Sequence, residues 1–166
     1  MKIKECLIQV GEEQNQMLRI PLFDVNMRLY VDNAVYNDLV KNALDYMVQT
    51  LCTEFSDYPK IKGISGANLG IPFNLVIIRK EGSFIRMINP KYTAATDKVK
   101  VVESNCGSIN LNKPIKVKRF KEIHVTYIAP NGRNMDTIYS GRLGCTIQHE
   151  IDHNKGVLIT DKAECK

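Results

Sequence analysis

The sequence has no apolar run approaching the roughly 20 residues that a membrane-spanning helix needs. It has no internal repeat, no low-complexity tract and no Gly/Ser-rich linker, so repeat arrays and tethered modules drop out. One domain over residues 1–166 is the expectation. Paired cysteines are missing too. Five cysteines occur, Cys6, Cys52, Cys106, Cys145 and Cys165, an odd count without close spacing, which argues against a disulfide framework and a zinc ribbon. In a reducing compartment these thiols stay free, and one can serve as a thiolate ligand. A strong charge of one sign is also absent, the formal net charge being +5. The densest basic stretch, Lys116, Lys118, Arg119 and Lys121, is interrupted by Val117 and Phe120 and reads as a solvated strand face. A weak attraction to ribosomal RNA is the most this charge suggests. The opening Met1 to Val10 is too short and too charged for a signal peptide, so the expected compartment is the cytoplasm.

What remains is an ordinary globular composition, 44% hydrophobic and 25% charged, in a chain long enough to bury a core without help. Leu39, Val40, Ala43, Leu44, Met47, Val48, Leu51 and Cys52 recur at three and four residues, which predicts a helix over Tyr36 to Phe55. Asp32 or Asn33 would cap it, and Pro59 and Gly63 mark the loop beyond. A glycine-rich segment, Gly63 to Gly70, follows. Leu75 to Ile78 and Phe84 to Asn89 read as a hairpin about Glu81-Gly82. Lys98 to Glu103, Ile115 to Lys118, Ile123 to Ile128 and Met135 to Tyr139 read as further strands, the last two joined through Asn131-Gly132. A final helix should run from Ser140, as N-cap, to about Asn154, with Gly156 as its stop. Helix, short strands with tight turns, then helix is an α+β order with antiparallel pairing.

That last helix carries the chemistry. His149 and His153 lie one turn apart on one face, so both imidazoles can reach one metal ion. Glu150 is turned about 100° from His149 and about 60° from His153. A carboxylate there can take a proton from the attacking water without being a ligand, as metal-assisted hydrolysis requires. Leu143, Ile147 and Ile151 form an apolar stripe on another side, so burial on both sides is expected. A hydrolytic site of this kind usually has a third protein ligand and one open position. Downstream only Asp161 and Glu164 offer carboxylates; upstream the third histidine, His124, sits in a strand pattern. Cys106, in a polar turn between Asn105 and Gly107, is the favoured third ligand, whereas Cys52 and Cys145 fit buried structural thiols.

At this point the chain resembles the peptide deformylases. Gln148-His-Glu-Ile-Asp-His153 matches the family's His-Glu-x-x-His motif, with Asp before the second histidine. Ser104-Asn-Cys-Gly-Ser108 stands where the family has Glu-Gly-Cys-x-Ser, so Cys106 and Ser108 match while Ser104 and Asn105 depart. Gly63-Ile-Ser-Gly-Ala-Asn68-Leu-Gly70 corresponds to the first motif, with Asn68 in place of glutamine and shorter by about 1.3 Å. The resemblance implies small antiparallel sheets around a central metal-binding helix, and removal of the formyl group from N-formylmethionine on nascent polypeptides. It implies one divalent metal, typically Fe2+, on Cys106, His149 and His153, although this donor set also suits Zn2+, Ni2+ and Co2+. It makes Glu150 the general base and then acid, with Asn68 and the N–H of Gly107 as oxyanion donors. The expected partner is the formylated N-terminus of a nascent chain, met by a monomer with weak ribosome contact and no membrane. Asn68, Ser104 and Asn105 leave open an alternative: a metal-binding relative with weak or no deformylation, or one acting on another acyl or peptide substrate. A metalloendopeptidase is disfavoured by the short tail after His153 and by the Cys106-x-Ser108 match.

Overall fold

The computed structural model describes residues 14–53, 62–109 and 113–163. Three helices come first: α1 (Gln14–Met17), α2 (Met27–Asp32) and α3 (Ala34–Thr53). The periodicity anticipated only α3, because α1 and α2 have too few turns to show a repeat. Asn33 ends α2 and opens α3, its Oδ1 accepting from the Tyr36 N–H at 2.9 Å. The expected helix end at Phe55 and the loop marker Pro59 lie outside the described residues, as do Cys6, Glu164 and Cys165.

The strands are β1 (Gly63–Ser65), β2 (Leu75–Lys80), β3 (Ser83–Ala94), β4 (Val99–Ser104), β5 (Ile115–Phe120), β6 (Glu122–Ile128) and β7 (Asn134–Ser140), followed by α4 (Gly141–Asn154). One sheet has the order β1-β2-β3-β6-β7 and a second pairs β4 with β5; every ladder is antiparallel. The β2–β3 hairpin turns on Glu81 and Gly82 with φ 45 and 80, the left-handed pair that a two-residue turn requires.

β2 explains why the sheet has two layers of helix. Leu75 and Ile77 point into a core with Val40, Leu44, Met47 and Leu51 of α3. Val76 and Ile78 point the other way, into a core with Ile147 and Ile151 of α4. A strand buried on both faces reads as a continuous apolar run, as Leu75-Val-Ile-Ile78 does. α4 therefore lies on the sheet face opposite α3, with β4 and β5 closing over its other side. The α+β class, the antiparallel sheets and the central helix of the sequence reading are all present.

Candidate metal centre

Two amides fix α4. Gln148 accepts from the Phe120 N–H at 3.0 Å and donates to the Phe120 carbonyl at 3.1 Å, tying the helix to β5. Asn154 donates to the Leu75 carbonyl at 2.9 Å and to Asn74 Oδ1 at 3.0 Å, tying it to β2. At the C-terminal end Gly156 has φ 74, and a Cβ there would stand 2.3 Å from the Arg19 carbonyl oxygen. Only glycine meets both demands. At the other end Ser140 is the N-cap position, but its hydroxyl makes no capping bond.

Held this way, the helix presents His149 and His153 to Cys106, in the loop after β4. Cys106 Sγ is 3.2 Å from His153 Nε2, and the two Nε2 atoms are 3.2 Å apart. The three donor atoms lie within 4.8 Å of one another. The imidazole planes stand at 78°, so two ring nitrogens converge without stacking. One sulfur and two imidazole nitrogens form a donor set for a divalent transition metal, with a position left open to the cleft. His153 Nδ1 is buried with no hydrogen-bond partner among the described residues.

Burial governs the titration of these groups. It pushes the Cys106 thiol up to about 12, against the Ser108 and Ile109 N–H groups that favour the thiolate. It lowers His153 to about 4, the Arg119 charge adding to it against Asp152, and lowers His149 well below its usual value, aided by His153 and Arg119. Glu150, buried, is raised to about 8, with Arg119 opposing. Without metal, every one of these groups therefore favours its neutral form near neutral pH.

Arg119 corrects the sequence reading. Lys116 and Lys118 are exposed as expected of a solvated strand face, but Arg119 is buried at 3% exposure. Its guanidinium is paired with the Asp152 carboxylate and stands 3.5 Å from His149 Nδ1. Asp152 also accepts from the Tyr92 hydroxyl at 2.8 Å and pairs with Lys162 at 3.0 Å. Burial and the adjacent carboxylate push the Tyr92 phenol up, so it stays a donor. The signal was strand parity: Val117 and Arg119 share one face of β5, Lys116 and Lys118 the other.

The cluster opens into a cleft of about 930 Å³ lined by Glu150, Asn68 and Gly107 among others. Asn68 is buried in the 3-10 turn Gly66–Leu69. Its Oδ1 accepts from Ser65 N–H at 2.8 Å and Ser65 Oγ at 2.6 Å, and its Nδ2 donates to Ser108 Oγ at 2.9 Å. The other candidates go elsewhere. His124 pairs with Asp136 on β6 and β7, and Asp161 pairs with Arg19; Cys52, expected to be a buried structural thiol, is instead exposed near the end of α3. Cys145 is half-buried and lines the cleft outside the three-donor cluster.

The comparisons with known proteins agree with this geometry. The family profile described as polypeptide deformylase matches residues 22–166. The chain belongs to that family. It is 33% identical over 127 residues to "Peptide deformylase 2" of Clostridium acetobutylicum, an alignment covering 76% of this chain and 81% of that one. It is 31% identical over 168 residues to a peptide deformylase of Rhodopseudomonas palustris, covering 97% and 86%. Among solved structures, a peptide deformylase from Synechococcus elongatus in complex with actinonin superposes with a TM-score of 0.77 at 28% identity, covering 96% of this chain and 79% of that one. A class I type b peptide deformylase from Acinetobacter baumannii with Met-Ala-Ser bound gives 0.76 at 20% identity, covering 94% and 96%. The chain is thus a peptide deformylase, a metal-dependent hydrolase, and Cys106, His149 and His153 are its metal-binding triad. Among the described residues no helix is long and apolar enough to cross a membrane.

Proposed function

We propose that this deformylase hydrolyses the formyl group from N-formylmethionyl peptides of nascent proteins, acting as one domain over residues 1–166. The observation that carries the reading is the convergence of Cys106 Sγ and two imidazole Nε2 atoms beside the buried Glu150, all opening on one cleft. The donor set fits a divalent ion held by Cys106, His149 and His153, whose three donor atoms lie within 4.8 Å of one another. Such an ion, when bound, polarises a carbonyl oxygen and makes water a nucleophile near neutral pH. Fe2+ is the ion we assign, and Zn2+, Ni2+ or Co2+ fit the same donors.

The remaining steps belong to the chain. Glu150 accepts a proton from the attacking water. It then returns that proton to the peptide nitrogen as the C–N bond breaks, giving formate and a free amino terminus. Its dry surroundings, which raise it to about 8 in the metal-free protein, suit a group that must both take and give a proton near neutrality. One Asn68 amide hydrogen is committed to Ser108; the second is the donor we assign to the developing oxyanion, with the Gly107 N–H as its companion. Arg119 and Asp152 form a buried, mutually neutralised pair that braces α4 from β5. A cytoplasmic monomer is the form we expect, with exposed Lys116 and Lys118 giving weak ribosome contact.

The decisive experiment is an anaerobic assay on a formyl-Met peptide after reconstitution with Fe2+. Release of formate, lost on chelation, supports the reading. Stoichiometric metal with no formate release would overturn it.

A further inference from the structure

The cleft is basic at its far end. Along α4 the cleft-lining residues are His153, His149 with Glu150, Cys145 with Thr146, and then Arg142, the pairs recurring at helical spacings of three and four. Arg142 is seven residues before His149, about 10 Å along the helix axis. Lys100, Val102 and Ser104 are the half-buried positions of β4, alternating with exposed Val99, Val101 and Glu103. They run along the cleft towards Cys106. Lys100 Nζ donates to the Gly141 carbonyl at 3.2 Å, which sets it beside Arg142 at the start of α4. The third cation is Lys62, immediately before β1. β1 itself touches the middle of the same helix face, since a Cβ on Gly63 would lie 3.0 Å from Thr146 Cγ2.

Among the described residues, none of Lys62, Lys100 and Arg142 has a carboxylate within ion-pair distance. The other lining cation, Arg119, is neutralised by Asp152. Of the two lining carboxylates, Glu150 lies at the opposite, metal end. Glu103 has the opposite strand parity to Lys100 and faces Lys116 across the β4–β5 ladder. Among the described residues, three cations thus line one concave surface with no carboxylate paired to them, an arrangement that costs free energy until a negative group arrives.

We propose that the Lys62, Lys100 and Arg142 end of the cleft binds a carboxylate of the substrate, so that this enzyme prefers formyl-peptides with an acidic group one or two residues from the scissile bond. The inference rests on the deformylase reading above. Two extended residues span about 7 Å, and the long basic side chains close the remaining gap. A short peptide can supply the carboxylate from its C-terminus or from an acidic second side chain.

The test compares kcat/KM for three peptides on metal-loaded enzyme: formyl-Met-Ala acid, formyl-Met-Ala amide and formyl-Met-Asp amide. An acidic peptide should exceed the neutral amide by about tenfold, the scale of a charged hydrogen-bonded contact. The advantage should shrink with added salt and fall towards unity in the Lys100→Met and Arg142→Met variants. Lys80→Met, on the exposed end of β2, is the control that should keep it. An advantage of the free acid alone assigns the terminal carboxylate; one shared by the aspartyl peptide assigns the side chain as well. Equal or faster turnover of the neutral amide, or an advantage surviving the double Lys100→Met/Arg142→Met variant, overturns the proposal. No turnover of any peptide would instead count against the substrate reading. Calorimetric binding of Met-Ala and Met-Ala amide to the protein then decides the cleft's preference independently.

Discussion

Gly63→Ala is the sharpest probe of how tightly β1 holds Glu150, the proposed general base. The added Cβ would lie 2.9 Å from Glu150 Cγ, 2.9 Å from Ile78 Cδ1 and 3.0 Å from Thr146 Cγ2. Ordinary carbon contacts are about 3.5–4.0 Å, so each neighbour must yield by roughly 0.5 Å or more. Ile78 is fully buried against Ile147 and Ile151 and has little room. Glu150, the most flexible of the three side chains, takes most of the shift. Overpacking costs about 1–3 kcal/mol, and the stiffer unfolded chain offsets about 0.4–1 kcal/mol of it. The net loss of about 1–2 kcal/mol lowers Tm by about 2–8 °C. A 1 Å displacement of a reacting group costs about 10²-fold, so half of that costs about tenfold in kcat, with KM and metal content little changed. The assays are thermal unfolding and steady-state hydrolysis of a formyl-Met peptide at matched metal loading. If Tm stays within about 1 °C and kcat within about twofold, β1 does not clamp Glu150 and the steric argument fails.

Other perturbations separate the roles in the centre. Glu150→Gln should keep the metal and lower kcat by about 10²–10⁴; loss of metal would make Glu150 a ligand instead. Cys106→Ala should abolish tight metal binding while Cys145→Ala retains it. Because burial holds the Cys106 thiol up at about 12, metal uptake must expel its proton, so Zn2+ affinity should rise at least about tenfold per pH unit between about pH 6 and 8. A flat profile would mean that the thiol is not a ligand. Arg119→Met leaves Asp152 with only Tyr92 and Lys162 and should destabilise the fold by about 3–5 kcal/mol in denaturant titration. Asn68→Ala should cut kcat by about 10²–10³ and KM little; unchanged kcat would remove the amide from the chemistry.

The metal centre was legible in the sequence where the chemistry follows a helical repeat. His149, Glu150 and His153 are ordered by the geometry of a single helix, so their spacing carries their arrangement. The continuous apolar run in β2 and the turn residues at Glu81-Gly82 and Asn131-Gly132 likewise specify local structure directly. Cys106 is a weaker case, because its approach to His153 depends on how β4 packs over α4. The brace was not legible. Tyr92, Arg119, Asp152 and Lys162 come from β3, β5, α4 and the closing turn, and no local period links them. Composition argued the wrong way for Arg119, since a basic residue among lysines reads as solvated until its inward parity on β5 is weighed. The short helices α1 and α2 escaped for lack of length.

Charge balance ties these observations together. Cys106, His149, His153 and Glu150 are driven towards their neutral forms by burial, so the metal-free centre holds little charge of its own. A divalent cation changes that balance. Two positive charges are matched by one thiolate and one carboxylate, Cys106 and Glu150, with the imidazoles remaining neutral. Arg119 is already cancelled by Asp152 and adds no net charge. The metal centre is therefore close to neutral in either state. A third histidine in place of Cys106 would leave one uncompensated positive charge in a buried site, which is expensive. In the proposed mechanism the carboxylate also serves this balance without being a ligand: as Glu150 takes the proton from water, the oxygen left behind would carry the negative charge that it has given up. The total stays constant while the proton moves, so the dry cleft never has to solvate an added charge during the reaction.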